Sequence, residues 1–214
     1  MKHSMLALAL AAGAFGSSAQ AQQLSFSGGA TLTSNYISDG ITQTQGDPAF
    51  QPWIEVESNG FYGGLWFSNV DFADSRDRLE TDLYFGYRGE TMGGLSYDLG
   101  YARYFYNRSG DAGGEFLVSL GADMADGFSL GTDLAYDPDE QDLTASIGLG
   151  FTSFQGISVS GEVGRSQPNS NNFWNVGVGY DITDYLGVDL RYHDTNTTAG
   201  IVNLSGTVTF DLLR

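Results

Sequence analysis

The sequence predicts an all-β protein, a transmembrane antiparallel up-and-down β-barrel of about twelve strands. Three observations carry this. Apolar and polar residues alternate along most of the chain, the connections between alternating runs are short and long by turns, and no stretch holds a convincing helical period. Each run covers roughly 9 to 12 residues, the length a tilted strand needs to cross a bilayer.

Residues 1–21 precede the first run. Lys2 and His3 are followed by an apolar stretch from Met5 to Phe15 and by small residues ending Ala19-Gln20-Ala21. This reads as a secretory signal peptide removed after Ala21, too short for a spanning helix, and it leaves one domain over 22–214. The chain carries a net charge of −17. Loss of Lys2, with no acid before Ala21, gives −17 − 1 = −18. Such a surface repels phosphate backbones, which excludes nucleic acid as a partner. A 14% aromatic content argues against disorder, and the absence of Cys rules out a disulfide framework or an acylated cysteine.

The first run starts near Leu24, and the polar segment Ser38 to Asp47 after it is expected outside or folded into a pore mouth. The second starts near Phe50. Pro52 lacks an N–H for a central ladder, so this strand is expected to enter the ladder only around Trp53. The third begins near Phe61, after a Ser58-Asn59-Gly60 turn. In the fourth, Leu79, Leu83, Phe85 and Tyr87 point to lipid, while Glu80, Asp82, Tyr84 and Arg88 point inward. The fifth, near Leu95, places Asp98 inward; the sixth, near Glu115, places Glu115 and Asp123 there. The seventh sets Phe128, Leu130, Leu134 and Tyr136 against Asp133, and the eighth sets Leu143, Ile147 and Leu149 against Asp142 and Ser146. The ninth starts near Ile157 and carries Glu162 inward; the tenth starts near Phe173 and carries Asp181. The eleventh, near Leu186, lines Asp189, Arg191 and His193 along its inner face, and the twelfth starts near Ile201.

Short turns close Ser58 to Gly60, Thr91 to Gly94, Ala125 to Gly127, Ser153 to Gly156 and Ile182 to Asp184. Longer polar loops, among them Asn107 to Gly114 and Ser166 to Asn172, lie between them. A barrel with short periplasmic turns and long external loops has this rhythm. A soluble β-sandwich or lipocalin-like barrel also alternates. Long strands and acidic faces crowded with Gly and Ser suit a tight wet lumen better. Tyr62, Trp66, Tyr87, Tyr101, Phe105, Tyr136, Trp174, Tyr180, Tyr192 and Phe210 are expected in interfacial girdles, with Trp53 and Tyr84 inward.

The succession "SNYISDGITQTQGDPAFQP", "GFYGGLWFSNVDF", "LETDLYFGYRGE" and "LSYDLGYARYFY" resembles the TorF family, a proteobacterial conserved hypothetical outer-membrane family described as porins. The resemblance implies an outer-membrane β-barrel assigned as a porin by fold, without a settled substrate. Two departures stand out. That family commonly carries Arg before the Gly corresponding to Gly40, where this chain has Tyr36-Ile37-Ser38-Asp39. It also tends to finish on an aromatic residue that the assembly machinery reads, whereas this chain ends Phe210-Asp211-Leu212-Leu213-Arg214.

Candidate chemistry is sparse. His193 is the one histidine left after the signal peptide. It faces inward, where a lipid-modifying Ser/His site would need the lipid side near the rim. Asp137 to Asp142, "DPDEQD", spaces its carboxylates somewhat like a calcium loop but lacks the Gly turn and closing Glu. Weak divalent binding shared with lipopolysaccharide phosphates is the sharper reading there, a solvated acidic loop the plainer one. No cofactor is expected. The excess of inward acids over Arg88 and Arg191 predicts a channel for passive diffusion of small hydrophilic solutes with a preference for cations. Its other expected partners are outer-membrane lipid, lipopolysaccharide and the assembly machinery. A plugged structural or surface-contact barrel is the alternative, followed by a lipid-modifying enzyme.

Overall fold

The computed structural model describes residues 24–153, 155–167 and 170–213. The expected signal peptide lies outside them, as does Arg214.

In chain order the strands are β1 (Ser25–Thr33), β2 (Ile37–Ser38), β3 (Ile41–Thr42), β4 (Ala49–Ser58), β5 (Phe61–Asn69), β6 (Leu79–Glu90) and β7 (Leu95–Tyr106). They continue with β8 (Gly110–Asp123), β9 (Phe128–Asp137), β10 (Asp142–Thr152), β11 (Ile157–Gln167), β12 (Asn171–Thr183), β13 (Leu186–Thr195) and β14 (Ile201–Leu213). β1 and β4 to β14 form a closed antiparallel barrel of twelve strands, each bonded to its neighbours in chain order. Closure runs from Phe26 opposite Leu213 to Thr33 opposite Ser205. A closed barrel satisfies every strand edge internally, the condition a sheet must meet to sit in hydrocarbon. No helix among the described residues is long and apolar enough to cross a membrane.

The alternation sorts side chains as the period of two requires. Leu83, Phe85, Ile147, Leu149, Val176, Val178, Leu190, Val202 and Leu204 lie on the outside, 45 to 65% exposed. So continuous an apolar girdle would cost about 25 cal/mol for each Å² held in water, and hydrocarbon removes that cost. The buried apolar residues lie inside the barrel instead, most on the wall formed by β4 to β8, with Tyr36 in the loop before β2 and Phe173 on β12. One cluster joins Tyr36, Ala49 and Val70 with Trp66, Phe72 and Tyr106. The other joins Tyr84, Ala102 and Tyr104 with Tyr62, Trp66, Ala112 and Leu117. The facing wall combines small residues, among them Ser146, Gly148, Ser160, Gly164, Gly177 and Ser205, with Phe173 lying over Gly164 and Arg191 over Gly177.

Three expectations need correction. β4 pairs with β1 from Ala49 onward, and only its ladder with β5 starts at Trp53. Pro52 has a partner on the β1 side alone, so its missing N–H breaks no bond to β5. Asn107 to Gly114 is a tight turn rather than a long loop, because β8 begins at Gly110 and pairs with Tyr106. A register shift between Arg103 and Phe105 absorbs the mismatch in the extended ribbon. Tyr62 and Trp66 point into the barrel instead of into a girdle: the Tyr62 hydroxyl donates to Asp98 at 2.6 Å, and Trp66 packs edge-on against Tyr36.

Candidate functional site

The loop between β1 and β4, residues 34–48, folds into the mouth at the end of the barrel where the longer loops gather. Its root is tied to β14, where the Asn203 side-chain oxygen accepts from the Thr33 and Ser34 hydroxyls and the Asn35 backbone N–H. Within the loop, the Thr44 hydroxyl donates to the Asp47 carbonyl at 2.6 Å, and the Thr42 hydroxyl to the Asn35 side chain at 2.6 Å. Asp39 and Gly40 adopt φ of 47° and 76°, a left-handed turn that the β2–β3 hairpin needs and that Asp and Gly tolerate best. The tip reaches the far wall, where the Asn171 amide donates to the Asp39 carbonyl at 3.0 Å. Asn35, Tyr36, Ser38, Gln43 and Thr44 are all buried. The Asp39 carboxyl is pushed up to about 7 by burial and by the carboxylates of Glu162, Glu115 and Asp142.

The acids predicted to face inward divide into two environments beneath this loop. Glu80, Asp82 and Glu115 are buried on the aromatic wall. Tyr106 donates to Glu80 at 3.0 Å and Tyr104 to Glu115 at 2.6 Å. Tyr84 is buried beside them and lies over the backbone of Gly64, where a Cβ would leave the ring no room. Asp133 stays exposed on the opposite side and accepts from Ser119, and Glu162 accepts from the Asn175 amide at 2.9 Å. Asp123 is exposed at the short-turn end of β8.

Both predicted interior bases are already neutralised. Arg88 meets Glu55 at 2.7 Å, Glu57 at 3.6 Å and Asp98 at 3.9 Å, and its guanidinium lies 3.9 Å over the Tyr62 ring. Arg191 meets Asp189 at 3.1 Å and donates to Asn175 and Ser160. His193 is half-buried on the same face of β13, opposite Asn175. Glu55, Glu57, Tyr36, Asp39 and Tyr104 belong to these networks and were not singled out from the sequence. Parity along β4, where Trp53, Glu55 and Glu57 share one face, carried the signal for two of them.

The "DPDEQD" loop uses its first carboxylate for its own turn. Asp137 is buried and accepts from the backbone N–H groups of Asp139 and Glu140. No group of three or more acidic, His or Cys side chains among the described residues is arranged to hold a metal ion. At the neighbouring connection, Asp77 accepts from the Arg108 and Ser109 backbone N–H groups and the Ser109 hydroxyl, and these bonds hold its carboxyl down to about 2.

The model of Gcw_chp, described as a bacterial protein of unknown function, matches residues 17–210. No curated protein matches the sequence. Among solved structures, the KdgM porin superposes with a TM-score of 0.65 at 11% identity, covering 87% of this chain and 99% of that one. The KdgM porin in complex with disordered oligogalacturonate gives 0.62 at 10% identity, covering 87% and 99%. An active-site mutant of outer membrane phospholipase A from Escherichia coli gives 0.50 at 12% identity, covering 86% and 89%. At these identities the likeness shows the fold, a closed β-barrel of the outer-membrane kind.

Proposed function

Given that the chain belongs to the Gcw_chp family, whose description assigns no activity, we propose that it is a porin-like channel of the bacterial outer membrane, passing small hydrophilic solutes and preferring cations. The resemblance to the TorF family agrees with this reading. The observation that carries it is electrostatic. Arg88 and Arg191 are each committed to carboxylate partners, while Asp133 and Glu162, on the open side of the barrel, have no basic side chain in ion-pair range among the described residues. Uncompensated carboxylates in a narrow low-dielectric tube draw cations in and hold anions out. A polyuronate such as that in the KdgM complex would meet repulsion in this interior.

On this reading the passage runs off-centre, along the inner faces of β9 to β14 opposite the aromatic fill of the β4 to β8 wall, with the first loop as its constriction. The same loop supports a second reading, a plugged barrel with a structural or surface-contact role, because its buried residues span the mouth from Asn203 to Asn171. Single-channel recording in planar bilayers separates the two. Discrete conductance steps from the purified barrel support the channel. A native, heat-modifiable barrel that inserts yet gives no steps supports the plug.

A further inference from the structure

Beneath the first loop both carboxylate oxygens of Asp82 and the hydroxyl of Tyr36 are sealed from solvent and outside hydrogen-bond geometry, the Tyr36 hydroxyl facing the Glu80 carboxylate. Asp82 is 0% exposed and Tyr36 4%. They are neighbours, since Tyr36 packs against Trp66 and Tyr106, which stand opposite Asp82 and Glu80 in the β5–β6 and β6–β7 ladders. The flanking carboxylates are better served: Tyr106 supports Glu80 and Tyr104 supports Glu115. No Arg forms an ion pair with Glu80, Asp82 or Glu115 among the described residues. A carboxylate stripped of water and left without donor or counter-charge is a heavy burden for a fold, and a sealed, unpartnered carboxylate among further buried oxygens marks a place built around something it binds.

We propose that Asp82, Glu80 and the Tyr36 hydroxyl bind one alkali metal cation between β6 and the first loop. Asp82, Glu80 and Tyr36 all offer oxygen, which suits a hard cation. Two carboxylates and a phenol fall short of the denser, negatively charged oxygen cage that a divalent ion takes, in accord with the absence of a three-carboxylate metal cluster. A monovalent ion accepts an irregular oxygen shell and offsets part of the local charge. Tyr36 belongs to the loop and Asp82 to the wall, so the bound ion ties the constriction to the barrel. The site stands on buried geometry and is independent of whether the barrel conducts.

The test compares heat unfolding of the purified full-length barrel in NaCl, KCl and N-methylglucamine chloride at equal ionic strength and pH. Sodium or potassium should raise the midpoint over the bulky organic cation. Each tenfold rise in free ion concentration above the dissociation constant should multiply the folded-to-unfolded ratio by about ten. Asp82→Asn, which keeps the shape, should abolish this dependence, and Tyr36→Phe should weaken it should the first variant fail to fold. Crystals grown in rubidium should show an anomalous peak between Asp82 and Tyr36. Equal midpoints in all three salts, an unchanged ion dependence in both variants, or a plain water at that position would overturn the proposal.

Discussion

The side-chain amide of Asn171 on β12 donates a 3.0 Å hydrogen bond to the carbonyl oxygen of Asp39, joining residues 132 positions apart across the barrel mouth. This bond holds the loop tip at the far wall, while Asn203 holds its root at β14. Asn171→Ala should free the tip and leave the barrel intact. The expected result is a larger, noisier single-channel conductance with unchanged heat-modifiable migration; identical conductance would show that the loop does not set the constriction.

Arg88 offsets three carboxylates at once on the β4 to β7 wall. Arg88→Ala leaves Glu55, Glu57 and Asp98 facing one another with less water than they had in the unfolded chain, at a cost of about 2 kcal/mol in urea unfolding. Glu55→Gln in the same background should recover part of that loss. A full-strength barrel in the single variant would mean that the cluster is hydrated and screened.

The outward face can be probed by depth. Leu83→Arg and Ile147→Arg place a charge where the native side chains are 48 and 50% exposed on the apolar girdle, and each should cost about 2 to 4 kcal/mol in lipid vesicles. Ser205→Arg, on the interior face opposite Asp189, should cost far less. Equal penalties would contradict the assigned faces.

Strand parity was legible in the sequence because a period of two survives any rigid-body arrangement. Asp82 turns inward and Leu83 outward whichever strands close the barrel, and the turns at Gly60, Gly94, Gly127 and Gly156 sit where positive φ demands glycine. Tyr62 and Trp66 were misplaced because β5 carries aromatic or apolar residues on both faces, Phe61, Leu65 and Phe67 on one and Tyr62 and Trp66 on the other. Tyr36 gave no signal at all. Its burial comes from a loop crossing to strands 30 to 70 residues later in the chain, a contact that no local pattern encodes.

Acid should reveal the Asp77 junction. Its folded carboxyl sits near 2, below the ordinary value of about 3.9. The loop contacts to Arg108 and Ser109 are therefore fully held above about pH 4 and lost as pH falls through about 2. Proteolysis of residues 70–78 should stay slow at pH 4 and accelerate toward pH 2, and Asp77→Asn should remove that pH dependence. Early loosening at pH 5 would contradict the assignment.

Charge in the constriction sets which ions pass, and the reversal potential in a KCl gradient reads it directly. Cation preference is expected, stronger at low salt, because the Debye length falls from about 10 Å at 0.1 M to about 3 Å at 1 M. It should also strengthen as pH rises through about 7, where Asp39 takes its full charge. Asp133→Asn and Asp39→Asn should each reduce the preference with little change in conductance. An anion-preferring channel, or a cation preference indifferent to both substitutions, would contradict it.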